Sequence, residues 1–597
     1  MTMKILFFSP HAFIEVHALP EAVVVEALKE RGHDVVTVTC DGALSGFCIS
    51  MSAAGLSPHS STLEKDAVCV GCRKRRDFIL KEFAFPSITL DEFIEKEDEQ
   101  SIQDVLLTVR PENYIEFNWM NFPIGRYALF EFLLNNKLNS FKLNNVEWEG
   151  YKIHLYNALK VAYAGRRLLE KIKPDAVATY NSLYSVNHVF CILAEQRGIP
   201  HYTLHAGAHI RRRYSTMTIF KGLIASRLIT RSKAWKTLSG IPISSSQALL
   251  VAEHLGELLN ARDPWVYSIA SKKASSESLR NYFGIDKAKQ VLLVTMSSAD
   301  EHLALTTIDA MPPFVEPMFP TPIDWINALI EFVRLRDDLF LIIRVHPREF
   351  PNKREQVLSK RAVELQKIFV NLPDNVRVNW PKDQISLHDL IKITDVGLNA
   401  TSTSGVELGM FGAPVVLYDS NQLFSYPPEI NYVAVDKDDY FKKIDMALED
   451  GWSFENVRKT FRWLSYQLGR VAIDISDGFE LHAVPAPLSF FQKNHNRLLR
   501  KFGLNSPYEA QLESRQILAP VTNRSVPLKN SELLCAAIEN NLDSHLELLN
   551  KMQESSTTLE EETNAIREQV KNLFRDVSLN DDTPDEFTRK IKHVLAV

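Results

Sequence analysis

The sequence predicts an α/β protein of two doubly wound domains, with an insertion in the first domain and a helical C-terminal tail. Three observations carry this. Residues 4–39 read strand–helix–strand, and short apolar strands separated by amphipathic helices recur over 291–418. After about residue 485 the chain turns polar and helix-prone. At 597 residues it is also too long for a single core.

The segment KILFF at 4–8 is a short buried strand. Pro20 suits a first helical position, and a helix follows over 21–31 with Val24, Ala27 and Leu28 on one stripe. Gly32 ends that helix and 35–39 is the next strand, the spacing of a βαβ crossover. The alternation resumes with a helix over 161–172, a strand over 174–180, a helix over 186–197 and a strand over 201–205. The first domain is therefore placed at 1–270, with an insertion at about 42–145. The serine-rich stretch 268–280 reads as a linker or a helix entry. In the second domain, 271–485, strands fall at 291–295, 339–345, 376–379, 396–399 and 414–418, with helices such as 322–335 and 387–393 between them. The tail, 486–597, carries a helix over 533–552 with apolar positions Leu534, Ala537, Ile538, Leu542, Leu546 and Leu549. That stripe packs on the body, on a second copy or on a partner.

Composition narrows the function. Hydrophobic content of 45% and charge of 24% are those of a globular protein. A net charge of −6 gives no general basic surface, so nucleic acid is not an expected partner. No apolar run reaches the roughly 18 residues of a membrane span. The start, MTMKILFFSPHAF, reads as a first strand rather than a secretion signal. Six cysteines are few for this length, which points to the cytoplasm.

The most informative stretches are LIIRVHP at 341–347 and NATSTSGVE at 399–407. In each, an apolar strand ends in chemistry-bearing residues: Arg344 and His346 in one, a hydroxyl-rich turn opening a helix in the other. Ligands of open α/β sheets bind at such strand ends, and helix N-termini offer N–H donors to anions. Residues two apart on a strand share a face, so Arg344 and His346 point into one cleft while the strand stays regular. His346 can donate to a phosphate, with Arg344 or Arg348 adding charge. Ser402, Thr403, Ser404 and Gly405 form the candidate phosphate cradle.

RVHPRE followed in order by STSGVELGMFGAPVV resembles the GT-B glycosyltransferases, and more narrowly the bacterial capsule and lipopolysaccharide transferases with an HP dipeptide. The resemblance covers roughly 1–480 and leaves out the tail. It implies two Rossmann-like domains facing a cleft, the C-terminal one holding the nucleotide sugar and the N-terminal one the acceptor. It implies that His346 stabilises the departing nucleotide, that Glu407 contacts the ribose, and that the loop with Ser297 and Ser298 faces the donor. An inverting transferase also needs a base on the acceptor side. His11, Glu15 and His17 follow the first strand, and Glu15 with His17 would make a base–orienter pair. A rival cluster is His205, His209 and Arg211, joined by Asn181 on the same rim. The arginines there suit an anionic acceptor or simply a solvated patch.

Cys40, Cys48, Cys69 and Cys72 stand apart. Cys69 and Cys72 form a C-x-x-C pair, so a structural zinc site, an iron–sulfur cluster, a redox pair or plain thiols are all open. Lys74, Arg75 and Arg76 would lower the thiol pKa values.

The expectation is a cytoplasmic enzyme, or one peripheral to the inner membrane, that moves a sugar from a nucleotide-sugar donor to a glycan or lipid-linked acceptor in surface-polysaccharide assembly. It would need no cofactor for catalysis and could self-associate through its tail helices. The rivals are a nonhydrolysing nucleotide-sugar 2-epimerase, a CDP-polyol phosphotransferase and a scaffold with a degenerate fold.

Overall fold

The structure is a computed structural model that describes residues 2–223, 235–236, 238–261, 267, 269–272, 274–310, 318–352, 357–400, 402–418, 428–485, 514–522, 526–539, 557–574 and 584–596. Two sheets organise it. The first joins β1 (Lys4–Phe8), β2 (Asp34–Thr39), β3 (Ser87–Thr89), β4 (Ala176–Tyr180), β5 (His201–Ala206), β6 (Thr216–Lys221) and a short later strand at Ile473–Asp474. The second joins β7 (Gln290–Thr295), β8 (Leu339–Arg344), β9 (Val376–Asn379), β10 (Val396–Asn399) and β11 (Val415–Leu417). With the Ile473–Asp474 strand as β12, the orders are β12-β6-β5-β4-β1-β2-β3 and β11-β10-β7-β8-β9. The second sheet is parallel throughout. In the first, β6 and β12 run antiparallel at one edge. The predicted class, two Rossmann-like α/β domains, is therefore the observed one.

Central strands of the two sheets are buried along their whole length because helices cover both faces. LFLIIR of β8 and AVATY of β4 are buried at every position. Each sheet reverses its strand order once, at β1/β4 in the first and at β7/β10 in the second. These switch points open a crevice at the carboxyl ends of the strands, where ligands of such sheets bind.

Several boundaries differ from the sequence reading. The first helix spans Glu15–Glu30, so Pro20 lies inside it and not at its start. Ile14 and His11 already supply the turn that nucleates it. A helix at Ser276–Phe283, capped by Ser275, begins inside the serine-rich stretch, which is thus a helix entry. The division at 270 also fails, because the Ser245–Asn260 helix lies in the second domain's core with Val291, Val457 and Ile566. Conversely, β12 returns residues 473–474 to the first sheet.

The tail divides between the two bodies. Its Ser531–Glu539 helix packs Leu534, Ala537 and Ile538 against Val24 and Leu28 of the first domain. The Leu559–Leu573 and Glu586–Ala596 helices bury Ile566, Val570 and Ile591 in the second core. Glu562, fully buried, is held there by Arg462 at 2.6 Å and by the Ile243 N–H at 2.9 Å. The apolar positions Leu542, Leu546 and Leu549 lie outside the described residues.

Candidate functional site

At the second switch point Thr295 and Asn399 are register partners, and the Thr295 hydroxyl donates to Asn399 Oδ1 at 2.6 Å. Asn399 Nδ2 then bonds the carbonyls of Ala400 (2.6 Å) and Ser402 (2.9 Å), which bends the chain directly after β10. The Ser404 hydroxyl donates to Ser402 Oγ at 2.8 Å, and the Ser404–Phe411 helix starts there. Beside this turn, β8 delivers Arg344 and then His346. A cavity of about 400 Å³ lies between them, lined by Arg344, His346, Ser402, Thr403, Ser404 and Glu407. From the first domain, Ala208, Ile210 and Arg213 close its other side. The volume falls in the range of small-molecule sites.

His346 caps a short turn, its Nδ1 accepting the Arg348 N–H at 3.2 Å. Burial, followed by the charge of Arg348, pushes its pKa down to about 4. The ring is thus neutral near pH 7, and with Nδ1 accepting, the proton resides on Nε2. That leaves one N–H donor on a ring that lines the cavity. Arg344 is committed differently. Its Nη1 bonds Asn379 Oδ1 at 2.5 Å and the Ile385 carbonyl at 3.0 Å, while its side chain still lines the cavity. Arg348 turns away into a buried ion pair with Asp300 at 2.8 Å and is not a cavity residue.

Other predicted donor residues are placed unevenly. Ser298 precedes the Ala299–Thr307 helix and donates its hydroxyl to Glu301, and neither it nor Ser297 lines the cavity; Thr295 and Met296 do so instead. Gly405 is buried but not on the cavity wall, and its N–H bonds the Ser402 carbonyl. Val406 N–H likewise bonds Thr403, so the turn offers fewer open amides than expected. Glu407 reaches the cavity while holding His388 Nε2 at 2.8 Å.

At the first switch point His11 (after β1), Tyr180 (the last residue of β4), Tyr184 and Asn187 gather with His17 and Glu21 around a small cleft. His11 is 8% exposed, with Asn187 near its ring but both ring nitrogens short of any hydrogen bond. Burial pushes it down to about 4. His17 stacks on Tyr180 at 4.4 Å, and burial pushes it to about 3. Arg213, on the wall of the large cavity, bears electrostatically on both His17 and Tyr180. The Glu15–His17 pair does not form. Both lie on one helix two residues apart, where side chains diverge, and Glu15 instead pairs with Arg75 at 3.2 Å.

The rival acceptor cluster separates. His209 is fully buried between the Leu250 carbonyl (3.1 Å) and the Arg212 N–H (3.3 Å), so it anchors the loop. His205 bonds the Ala206 carbonyl and stacks on Tyr180. Asn181, at φ 59°, accepts the Leu183 N–H. Arg211 is exposed and off the cavity; of the three arginines, Arg213 is the one that lines it.

Three residues escaped the sequence reading. Glu21 is buried within an apolar helix face, its Oε1 has no partner, and burial pushes it up to about 8. His254 lines the cavity and accepts the Ile210 N–H at 3.3 Å. Gln467 reaches the cavity from a π-helical turn at Tyr466–Arg470. Only Glu21 carried a signal, as a carboxylate within an otherwise apolar run.

The four cysteines do converge on one cleft. Their pKa values are raised, not lowered: burial pushes Cys40 and Cys48 up to about 12 and outweighs Arg76 at Cys72. Among the described residues, no three His, Cys, Asp or Glu side chains are gathered so that they could hold a metal ion.

No family model matches the sequence, and no curated protein matches it. Solved structures that superpose on the chain include a putative UDP-N-acetylglucosamine 2-epimerase from Listeria monocytogenes, at 11% identity and TM-score 0.26, covering 85% of this chain and 98% of that one. A UDP-GlcNAc 2-epimerase from Neisseria meningitidis follows at 12% and 0.25, covering 80% and 98%. A spinosyn rhamnosyltransferase bound to thymidine diphosphate gives 10% and 0.23, covering 80% and 98%. Superpositions this loose say nothing of activity. No helix among the described residues is long and apolar enough to cross a membrane.

Proposed function

We propose that the chain is a nucleotide-sugar-dependent glycosyltransferase serving surface-polysaccharide assembly. The observation that carries this is the shared cavity. A neutral imidazole N–H, a guanidinium and a hydroxyl-lined helix entrance meet at the switch point of a parallel sheet, with a loop of the other domain across from them. In this reading the donor diphosphate lies between His346 and the Ser402–Ser404 turn, and Arg344 adds positive charge behind it. The acceptor enters past Arg213, and His17 or His11, both neutral near pH 7, removes its proton. Closure of the cleft excludes water, which would otherwise hydrolyse the donor.

The test supplies radiolabelled UDP-, GDP-, TDP- and CDP-linked donors with and without lipid-linked and soluble glycan acceptors. Sugar transfer that depends on both donor and acceptor supports the reading. Interconversion of the donor sugar without an acceptor assigns a 2-epimerase, and product that retains a phosphate assigns a polyol-phosphate transferase.

A further inference from the structure

A buried carboxyl stands at the first switch point. Glu21, on the Glu15–Glu30 helix, is 3% exposed, and its Oε1 has no hydrogen-bond partner. His11 has neither ring nitrogen bonded, and Asn187, 2% exposed, has no partner for its Oδ1. The orientation of that amide is set by its other end. Asn187 Nδ2 donates to the carbonyls of Tyr180 at 2.8 Å and Asn181 at 3.2 Å, which leaves Oδ1 as the unused acceptor. All three side chains line the one cleft at this point, with His17, Tyr180 and Tyr184.

Each buried polar group without a partner costs stability, so three around one hollow point to something they hold in common. The cleft measures about 10 Å³, close to the ~10–15 Å³ that a single water needs. Three polar partners is also the usual number for a buried water. A sugar is far too large for it. A second cleft, of about 30 Å³, shares Ser9, Ala18 and Glu21 with the first and reaches Arg76 of the Thr62–Phe83 helix. Glu21 thus stands where two hollows meet.

We propose that one water in the first cleft joins His11 to Glu21, and that Glu21 receives the proton which His11 takes from the acceptor hydroxyl. The proposal rests on the sugar-transfer reading and assigns its base. A ring that receives a proton on one nitrogen and passes one on from the other needs both nitrogens uncommitted, as in His11, whereas His17 is stacked on Tyr180. The acceptor O–H bond breaks onto one imidazole nitrogen while the other nitrogen gives its proton to the water, which gives one to the Glu21 carboxylate. The ring ends neutral as its other tautomer. The freed pair on the acceptor oxygen forms the bond to the anomeric carbon, and the departing nucleotide phosphate keeps the pair of the bond that breaks. Glu21 then loses its proton through the second cleft. It touches no substrate and acts through His11, as a positioning residue for the proton.

Two measurements on the full chain test this. A crystal structure should show a water within hydrogen-bond distance of Asn187 Oδ1, His11 and Glu21. Transfer is then followed against pH with the donor and acceptor pair that gives it. Burial pushes Glu21 up to about 8, while His11 and His17 stay neutral and Arg76, Tyr180 and Tyr184 keep their charge state through that range. Wild-type kcat should therefore rise about tenfold per pH unit below 8 and level off above it. Glu21→Gln, which matches the neutral carboxyl in shape, should lower kcat at pH 8 by about a hundredfold or more, leave KM unchanged and flatten the profile, and Glu21→Asp should restore the rise. A dry cleft, a Glu21→Gln enzyme with wild-type kcat, or one that is slower yet keeps the rise to pH 8 would overturn the relay and leave the transferase reading standing. A wild type that transfers no sugar from any donor overturns that reading and the relay with it.

Discussion

Acid should weaken the first domain, which holds four deeply buried histidines, more than the second, where His254 and His346 lose stability in the same way. His11, His188, His201 and His209 all belong to the first domain, each is less than 9% exposed, and burial pushes each to about 4 from an ordinary 6.5. A histidine with a folded pKa below its unfolded one binds fewer protons when folded. Its contribution is intact above pH 6.5 and is lost as the pH falls toward 4. At pH 5 the loss is about 2 kcal/mol per histidine, ~8 kcal/mol for four, of which Glu21, pushed up to about 8 by burial and so more stabilising as pH falls, returns about 2–3 kcal/mol. The remaining loss still reaches the lower end of the ~5–15 kcal/mol of a typical domain. Near-UV circular dichroism melts from pH 7.5 to 4.5 should show a first transition falling steeply below pH 6.5. His201→Gln, whose native Nε2 has no partner, should make that fall shallower and move the acid midpoint to lower pH. A first transition whose temperature stays constant between pH 7 and 5 would refute the burial argument.

Three further outcomes follow from particular contacts. Asp300→Asn leaves the Arg348 guanidinium buried without its carboxylate and should cost about 3–5 kcal/mol in denaturant unfolding, whereas Asp300→Leu with Arg348→Met should recover much of it. Lys137, 1% exposed, donates to the carbonyls of Arg348 (2.6 Å), Phe350 (3.2 Å) and Val357 (2.8 Å) and so ties the first domain to the segment after His346. Lys137→Met should destabilise by at least about 3 kcal/mol and weaken nucleotide binding as well, both read from melts with and without nucleotide. A Cβ at Gly397 would lie 2.6 Å from Leu408 Cδ1, so Gly397→Ala should lower stability by about 1–3 kcal/mol through overpacking of β10 on its helix, measured by urea unfolding.

How much of this was legible in the sequence depends on the range of the interaction. Runs such as KILFF and LIIR announce buried parallel strands because helices cover both of their faces, and local pattern alone records that. The strand ends could be read for the same reason, and His346 and Ser402–Ser404 do line one cavity. Pattern does not say which core an apolar stripe joins. The Ser245–Asn260 helix looks like part of the first domain but packs in the second, and β12 returns across the sequence to pair with β6. Nor does residue type reveal its commitments. His209 resembles a surface ligand in HAGAH yet is held between two backbone groups, and Glu15 finds Arg75 on a helix 60 residues away rather than its neighbour His17. Arg213 differs from Arg211 only in where a loop happens to turn, which no spacing rule captures.

The central claim is that His346 and the Ser402–Ser404 turn hold one diphosphate. Isothermal titration of UDP, GDP, CDP and CMP into the wild type, His346→Ala and Ser404→Ala tests it most directly. At least one nucleoside diphosphate should bind the wild type, and His346→Ala should weaken it by roughly ten- to a hundredfold, the loss of a charge-assisted hydrogen bond of about 1.5–3 kcal/mol. Absence of binding by every nucleotide, or equal affinity in wild type and His346→Ala, would contradict it.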